Sequence, residues 1–508
     1  MKNIEHKASV LFGEKEYKQA LELYTILLKN RPSTEKYAIS CGNCCDALNK
    51  KEEAIQYYNK ALKINNKSES ALLNLSTIYY ETKQYKKSED LAYKVLQINS
   101  DNTSALLNLA NSYFCNENYE KSLHYYQKIY NNNNNSYIAT INLANTYYCI
   151  GKYVLALEFA KKSINKHPSS ITAHILAGNS LNALEKHEKA LEMYLNAYNI
   201  DNTNLEVIHF LSETYRSLND WEKSLFFAWK FMKNNQDNSN TPHLNFGYLL
   251  YECYAEKSKD LAYKYASKWL KFYPDNVISK HMGNAILNNQ KLQTSDTEFI
   301  TETFNAFAPD FDETLADLDY QAPHLIYNAL CKNLKYSIFS KYKILDLGCG
   351  TGLCGEKIKK FASLNGLWGV DLSENMLAKA KEKNIYNHLY CEDICQYLEN
   401  NTKLFDVITA SDVWTYFGDL AKAFVRVSRS LTSKGLFVFT ISENNQNDED
   451  YFLTPSGRFV HSLSYVEKVL KNSGLRINST EKHILRNEAE IPVYGYIIVA
   501  QKPNISNT

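Results

Sequence analysis

An α-solenoid followed by an α/β domain with a seven-stranded, mostly parallel sheet is the architecture that this 508-residue sequence predicts. Two observations carry the prediction. From residue 1 to 276 one residue pattern returns every 34 positions, and from residue 343 onward short apolar runs alternate with helical segments. The first pattern belongs to stacked helical pairs, the second to strands joined by crossover helices.

In the repeat region, small residues recur without insertion at Ala20, Ala54, Ser88, Ser122, Ala156, Ala190 and Ser224. Small side chains are needed where two helices cross and their backbones approach. Four residues later stand Tyr24, Tyr58, Ala92, Tyr126, Ala160, Tyr194 and Ala228. In the preceding helix Leu75, Leu109, Leu143 and Leu211 share one position, and Tyr79, Tyr113, Tyr147 and Tyr215 another. Most of the 39 tyrosines are therefore assigned to packing between neighbouring repeats. Pro32, Pro168 and Pro274 fall at one register position, and the asparagines 131–135 fall at an inter-repeat turn. After a four-residue insertion near Ser239 to Pro242, an eighth repeat continues through Ala262, Ala266, Trp269 and Pro274. The pattern resembles the tetratricopeptide repeat. It implies eight repeats over 1–276, then a solvating cap helix and linker over 277–297, as such arrays need.

A connector over 298–342 is expected to be helical, with Phe304, Phe307 and Phe311 spaced along one face of a short helix. The α/β domain, 343–508, opens on an apolar strand that ends in Asp346-Leu347, followed by Gly348, Gly350 and Gly352 on alternate positions. A strand breaks there into a tight turn and a helix, and glycine leaves room for a ligand lying against the backbone. A second apolar run ends in Asp371, where an acid reaches ribose hydroxyls. Leu353 stands where a dinucleotide site would carry its third glycine, so a pyrophosphate is not expected. Strands are expected near 343–347, 366–370, 387–391, 404–410, 435–442, 475–482 and 494–501, with helices over 354–361, 374–383, 418–430 and 464–473. Gly474 suits a helix C-terminal cap.

From Ile344 onward the chain resembles the class I S-adenosylmethionine-dependent methyltransferases, whose domain is Rossmann-like with an antiparallel seventh strand. The resemblance implies S-adenosylmethionine as cofactor. It assigns the first motif to Asp346, Gly348, Cys349, Gly350 and Gly352, and the ribose acid to Asp371, followed by Leu372. Asp393 and Ile394 would meet the adenine, with Met376 lying along it, and Ser411 would stand after the fourth strand. The 298–342 connector resembles the lid of bacterial methyltransferases that carry tetratricopeptide repeats, with Tyr320 reaching over the sulfonium.

Methyl transfer from a sulfonium asks mainly for alignment in a cavity kept from water. A base is needed only when the acceptor enters protonated. His461 is the candidate by intrinsic pKa, and Asp412 and Glu443 are the alternatives; Tyr416 could wall the acceptor pocket and Arg458 lies in a loop over the same face. No Asn-Pro-Pro-Tyr-type motif follows the fourth strand, which argues against amide or nucleobase nitrogen as acceptor, and no Pro-Cys pair suggests a cytosine C5 nucleophile. A carboxylate, hydroxyl, thiol or amine stays open, on a small molecule or a protein. The function expected is methyl transfer to O, N or S, with the repeats recruiting a protein partner or substrate. The alternative is an interaction scaffold that binds cofactor without turnover.

A net charge of +1 supplies no global field for nucleic acid or anionic lipid. No N-terminal apolar segment follows Met1 and no stretch reaches the length of a membrane span, so a cytoplasmic protein is expected. The eleven cysteines form neither a disulfide framework nor a matched metal set, so no metal is expected.

Overall fold

The computed structural model describes residues 2–133, 136–235, 240–256, 258–288, 294–334, 341–445, 449–488 and 491–504. Asn134 and Asn135 of the asparagine turn, Ser239 of the insertion and residues 289–293 of the linker lie outside the described residues. The chain divides into two compact units, Met1–Asp220 and Trp221–Thr508.

Among its described residues the first unit is a run of thirteen helices, from α1 (Lys2–Gly13) to α13 (Leu205–Ser217), each packed on the next. The small register residues Ala20, Ala54, Ser88, Ser122, Ala156 and Ala190 are fully buried at the crossings. The tyrosines four positions on are buried as well, and their hydroxyls are satisfied. Tyr58, Tyr126 and Tyr194 donate to Asn43, Asn111 and Asn179 Oδ1 at 2.8, 2.5 and 2.6 Å. A buried phenol without such a partner would cost about 1–3 kcal/mol. Gly42 and Gly178 face two of these rings; a Cβ there would lie 2.4 and 2.5 Å from Tyr58 and Tyr194. The turns inside the repeats show a second period of 34. Lys15, Asn49, Lys83, Glu117, Gly151, Glu185 and Asn219 all take left-handed φ, between 57° and 75°. Chemistry at that position varies from Gly to Lys, so the backbone holds the period while the sequence hides it.

The second unit begins with α14 (Trp221–Asn234), α15 (Thr241–Ala255), α16 (Lys259–Phe272) and α17 (Val277–Leu287). Trp229, Phe246, Trp269, Met282 and Phe299 share one core. The packing division after Asp220 therefore differs from the one read off the repeat register, because α14–α17 share their cores with residues nearer the C-terminus, Phe299 first among them. Helix α17 corrects the expectation of a solvated cap: Ile278, Ser279, His281, Met282, Ala285 and Ile286 are buried. Its apolar residues meet α15 and α16 on one side, and Ala285 meets Leu453 and Phe459 on another.

The connector forms α18 (Thr297–Phe307), α19 (Phe311–Asp317) and α20 (Ala322–Asn333). The α/β part continues as β1 (Tyr342–Leu347), α21 (Leu353–Ile358), β2 (Ala362–Asp371), α22 (Glu374–Glu382), β3 (His388–Cys391), α23 (Ile394–Asn400), β4 (Phe405–Ala410), α24 (Ala421–Ser430) and β5 (Leu431–Ser442). A hairpin of β6 (Tyr451–Leu453) and β7 (Phe459–His461) precedes α25 (Leu463–Asn472), β8 (Arg476–Glu488) and β9 (Ile491–Gln501). The seven-stranded sheet has the order β3-β2-β1-β4-β5-β9-β8. Strands β1 to β5 pair in parallel, and β9 lies antiparallel to both β5 and β8. Alternate residues feed opposite faces, as the pleat requires. Ile344, Val407, Val438 and Val499 meet Ile326 and Leu330 of α20, whereas Leu345, Ile408, Phe437 and Ile498 meet Phe424 of α24 and Val466 of α25.

Three elements were not anticipated: α23, the β6–β7 hairpin, and the extension of β8 from 482 to 488. No described helix is long and apolar enough to cross a membrane.

Candidate active site

At the carboxyl ends of β1 to β4 opens a cavity of about 340 Å³, the place where parallel α/β sheets bind ligands. Its floor is the turn after β1. Gly348 and Gly350 take φ of +61° and +53°, which side chains resist, and both line the cavity with Cys349. Gly352, at φ +95°, caps the N-terminus of α21 and stands just outside the lining. Asp371, the last residue of β2, clasps this turn. Its Oδ2 accepts from Gly350 N–H at 2.8 Å and its Oδ1 from Ser373 N–H at 2.9 Å. Burial pushes its pKa up, and the backbone donors oppose that. Each carboxylate oxygen keeps a lone pair for a further donor. Leu372, Asp393 and Ile394 continue the wall, with Asp393 capping α23 by accepting from Gln396 N–H at 2.9 Å.

Asp346 is fully buried behind the turn and does not line the cavity. Its oxygens accept from Tyr386 OH at 2.6 Å and Thr409 Oγ1 at 2.7 Å. Burial nevertheless raises its pKa from 3.8 to about 6.

Helices α18 and α19 roof the site. Phe304 stacks edge-on against Phe311 and Tyr416, with centroids 6.0 and 5.4 Å apart. Polar latches fasten them. Asn305 Oδ1 accepts from Ser373 Oγ at 2.7 Å, and Asp312 accepts from the Thr351 hydroxyl and from Lys383 Nζ, the latter at 2.8 Å. Phe307 points elsewhere, to Tyr248 of α15. Tyr320, just before α20, lines the cavity and shares a 2.9 Å hydrogen bond with Ser411 Oγ. Burial, and then Asp412, raises its pKa well above the phenolic value.

After β4 the cavity turns strongly charged. Asp412 takes a left-handed φ of +57° and donates its N–H to Thr440 Oγ1 at 2.9 Å. That twist aims the carboxylate at Arg486, whose Nη1 donates to Oδ2 at 2.7 Å, while Oδ1 is buried without a partner. Arg486 also donates from Nε to Glu488 at 2.7 Å, and Arg458 donates to the same oxygen of Glu488. Burial lowers the Arg486 pKa, and Asp412 works against that shift. Burial also opposes the Arg458 charge, yet Tyr416, Asp412 and Tyr248 outweigh it and its pKa is raised. Arg458 stands at the end of the hairpin turn, which α17 fixes: His281 donates from Nε2 to Gly457 O at 2.8 Å and stacks on Phe299 at 3.8 Å.

Three expected site residues stand elsewhere. His461 is fully buried and donates from Nε2 to Phe417 O and Gly418 O at 2.8 and 3.1 Å. Burial lowers its pKa to about 4, and it does not reach the cavity as a base. Glu443 is spent on Lys482 Nζ and Tyr496 OH, both at 2.6 Å; these outweigh burial and hold its carboxylate low, outside the cavity. Met376 is buried and off the cavity wall, a core residue of α22. Conversely, Arg486, Glu488, Asn305 and Asp312 were not singled out in the sequence. For the first two a signal existed: β8 runs in the direction of β5, so charged residues at its far end reach the ligand edge.

Residues 345–439 match a family model described as a methyltransferase domain, and residues 40–68 and 70–99 match models described as tetratricopeptide repeats. The chain joins tetratricopeptide repeats to a methyltransferase domain. The malonyl-(acyl-carrier protein) O-methyltransferase of Bacillus anthracis is 29% identical over 143 residues, 28% of this chain and 51% of that protein. The ubiquinone biosynthesis O-methyltransferase of Coxiella burnetii is 28% identical over 193 residues, 33% of this chain and 80% of that protein. The chain thus spans about half the length of the malonyl relative. The solved structure of YrrB, a TPR protein with an unusual peptide-binding site, aligns with 37% of this chain and 96% of its own at 23% identity and a TM-score of 0.34.

Proposed function

We propose that this protein is an S-adenosylmethionine-dependent O-methyltransferase whose repeats recruit a protein partner or a carrier-linked substrate. The observation that carries the reading is the clasp of Asp371 on the left-handed Gly348–Gly350 turn at the floor of the cavity. The residues fit the cofactor. A Cβ on Gly350 would meet only Phe311 Cε1, at 3.8 Å, so the space beside that backbone is open for a ligand. Asp371 would take the ribose hydroxyls, Leu372, Asp393 and Ile394 the adenine, and Gly348 and Gly350 the amino-acid end. When bound, the cofactor supplies an electrophilic methyl on a sulfonium. The protein's own part is to align the acceptor, roof the site with Phe304 and Phe311, and exclude water. Oxygen as the acceptor atom is supported by the names of the curated relatives, which are O-methyltransferases. A recruiting role for the array rests on the concave surface that stacked repeats present.

The test is calorimetric titration of S-adenosylhomocysteine into the full chain. Saturable binding that vanishes in Asp371→Ala, with the circular dichroism unchanged, is expected. A parent chain that takes up neither S-adenosylhomocysteine nor S-adenosylmethionine refutes the reading.

A further inference from the structure

We infer that the methyl acceptor is a carboxylate, gripped by Arg458 and Arg486, and that the product is a methyl ester. The inference rests on the methyl-transfer reading above and names the substrate class for the same cavity.

Three observations converge. The first is the donor supply. Arg486 has 2% of its side chain exposed and Arg458 has 28%, and both line the cavity. Guanidinium groups are kept in such places where a planar anion is to be met. Each carries five N–H donors. Arg486 commits one Nε and one Nη1 hydrogen to Glu488 and Asp412, and Arg458 is hydrogen-bonded to Glu488 and to Tyr416. Donors are left over on both forks, and Tyr416 and Tyr320 stand beside them on the same wall.

The second is the lack of a histidine or of a wholly unpaired carboxylate to act as base; the one unpartnered oxygen, Asp412 Oδ1, belongs to a carboxylate that Arg486 holds through Oδ2. Among the described residues that line the cavity there is no histidine. Asp371 and Asp393 hold backbone N–H groups at the cofactor end, and Asp412 is paired with Arg486. Cys349, Cys354 and Tyr320 are pushed well up by burial and stay protonated at neutral pH. An alcohol or an ammonium must lose a proton to attack. A carboxylate arrives with its electron pair free and suits the forks of both arginines.

The third is charge balance. Asp412 and Glu488 already neutralise the two arginines, so an entering carboxylate is answered by the sulfonium. In the step, a carboxylate oxygen forms the bond to the methyl carbon as the methyl–sulfur bond breaks and sulfur keeps the electron pair. The carboxylate becomes a neutral ester, the sulfonium a neutral thioether, and no proton moves. A cavity walled from water favours a step in which opposite charges disappear. Asp412 Oδ1, buried and unpartnered, is left to accept from an N–H of the acceptor or from the cofactor's ammonium.

The experiment titrates acetate and malonate, with acetamide and malonamide as neutral counterparts, into the full chain by calorimetry, with and without saturating S-adenosylhomocysteine. Carboxylates should bind at least about tenfold more tightly than the amides. Arg458→Gln and Arg486→Gln should each remove most of that preference while S-adenosylhomocysteine affinity stays within about threefold of the parent. With methyl-labelled S-adenosylmethionine and malonate, the label should be released as volatile methanol by mild alkali, as only an ester allows. Equal binding of acids and amides, an unchanged preference in both variants, or alkali-stable label overturns the proposal. If Arg486→Gln does not fold, Arg458→Gln decides alone. If S-adenosylhomocysteine fails to bind the parent, the cofactor reading falls, and the arms without it still decide the carboxylate site.

Discussion

Adding one methyl group at Gly348 or at Gly350 should separate folding from binding. Both residues have left-handed φ, so alanine costs about 1–2 kcal/mol at either place. At Gly350 the new Cβ meets only Phe311 Cε1, at 3.8 Å, and enters the cavity. At Gly348 it would sit 2.5 Å from Val413 Cγ2, which must shift, adding roughly 1–3 kcal/mol of overpacking. Gly348→Ala is therefore the less stable protein, and Gly350→Ala the one that loses affinity. In denaturant titrations with ligand at about 100 times the parental Kd, S-adenosylhomocysteine should stabilise the parent by about 2.7 kcal/mol. A tenfold weaker Gly350→Ala should gain only about 1.4 kcal/mol. The reasoning is refuted if Gly350→Ala keeps the full ligand gain, or if it is destabilised more than Gly348→Ala.

Other outcomes concern the buried titratable groups and the roof. The His461 pKa falls from 6.5 to about 4 in the folded chain. It therefore contributes stability that is complete above pH 6.5 and is lost as pH falls toward 4, by up to about 3 kcal/mol. His461→Gln should flatten the acid limb of the stability profile, measured by denaturant midpoints between pH 4 and 7. Asp346 moves the other way, from 3.8 up to about 6, so its contribution is present below pH 3.8 and is lost as pH rises through 6. In the cofactor-free chain Asp346→Asn should gain on the parent across that window by up to about 3 kcal/mol; a constant difference would show that the carboxyl does not titrate there. Asp312→Ala removes the latches to the buried Thr351 and to Lys383; Asp312 itself is 42% exposed, so together they are worth about 0.5–1 kcal/mol. Release of S-adenosylhomocysteine, followed by stopped flow, should quicken about two- to fivefold; an unchanged rate would mean that the roof is held by Phe304 and Phe311 alone.

The repeat helices were legible because their small residues recur at fixed spacing and sit at crossings where nothing larger fits, as Ala54 and Ala190 do. The glycine turn after β1 was legible for a related reason: Gly348 and Gly350 answer to backbone geometry, which leaves few residue choices. The charged side of the cavity was not. Asp412 was noticed, but Arg486 is 74 positions away, and only the insertion of β9 between β5 and β8 brings β8's end to the cavity edge. His461 illustrates the opposite failure. Its intrinsic pKa suggested a base, while burial and two carbonyl acceptors turned it into a fixed donor. In sequence, α17's apolar positions look like those of a helix that ends an array. They serve a core that continues past it.

That continuity at α17 bears on how such a protein can be recombined. His281 and Met282 belong to the last helix of the array region, yet one holds the turn beside Arg458 and stacks on Phe299, and the other packs in the core that contains Phe299. A gene fusion that joined a foreign repeat array at residue 298 would deliver the catalytic half with bare Phe299, Leu453 and Phe459. The helices from Trp221 to Leu287 share their cores with Phe299, Leu453 and Phe459, so the last helices of this solenoid are shaped by the domain that follows them as much as by the repeats before them.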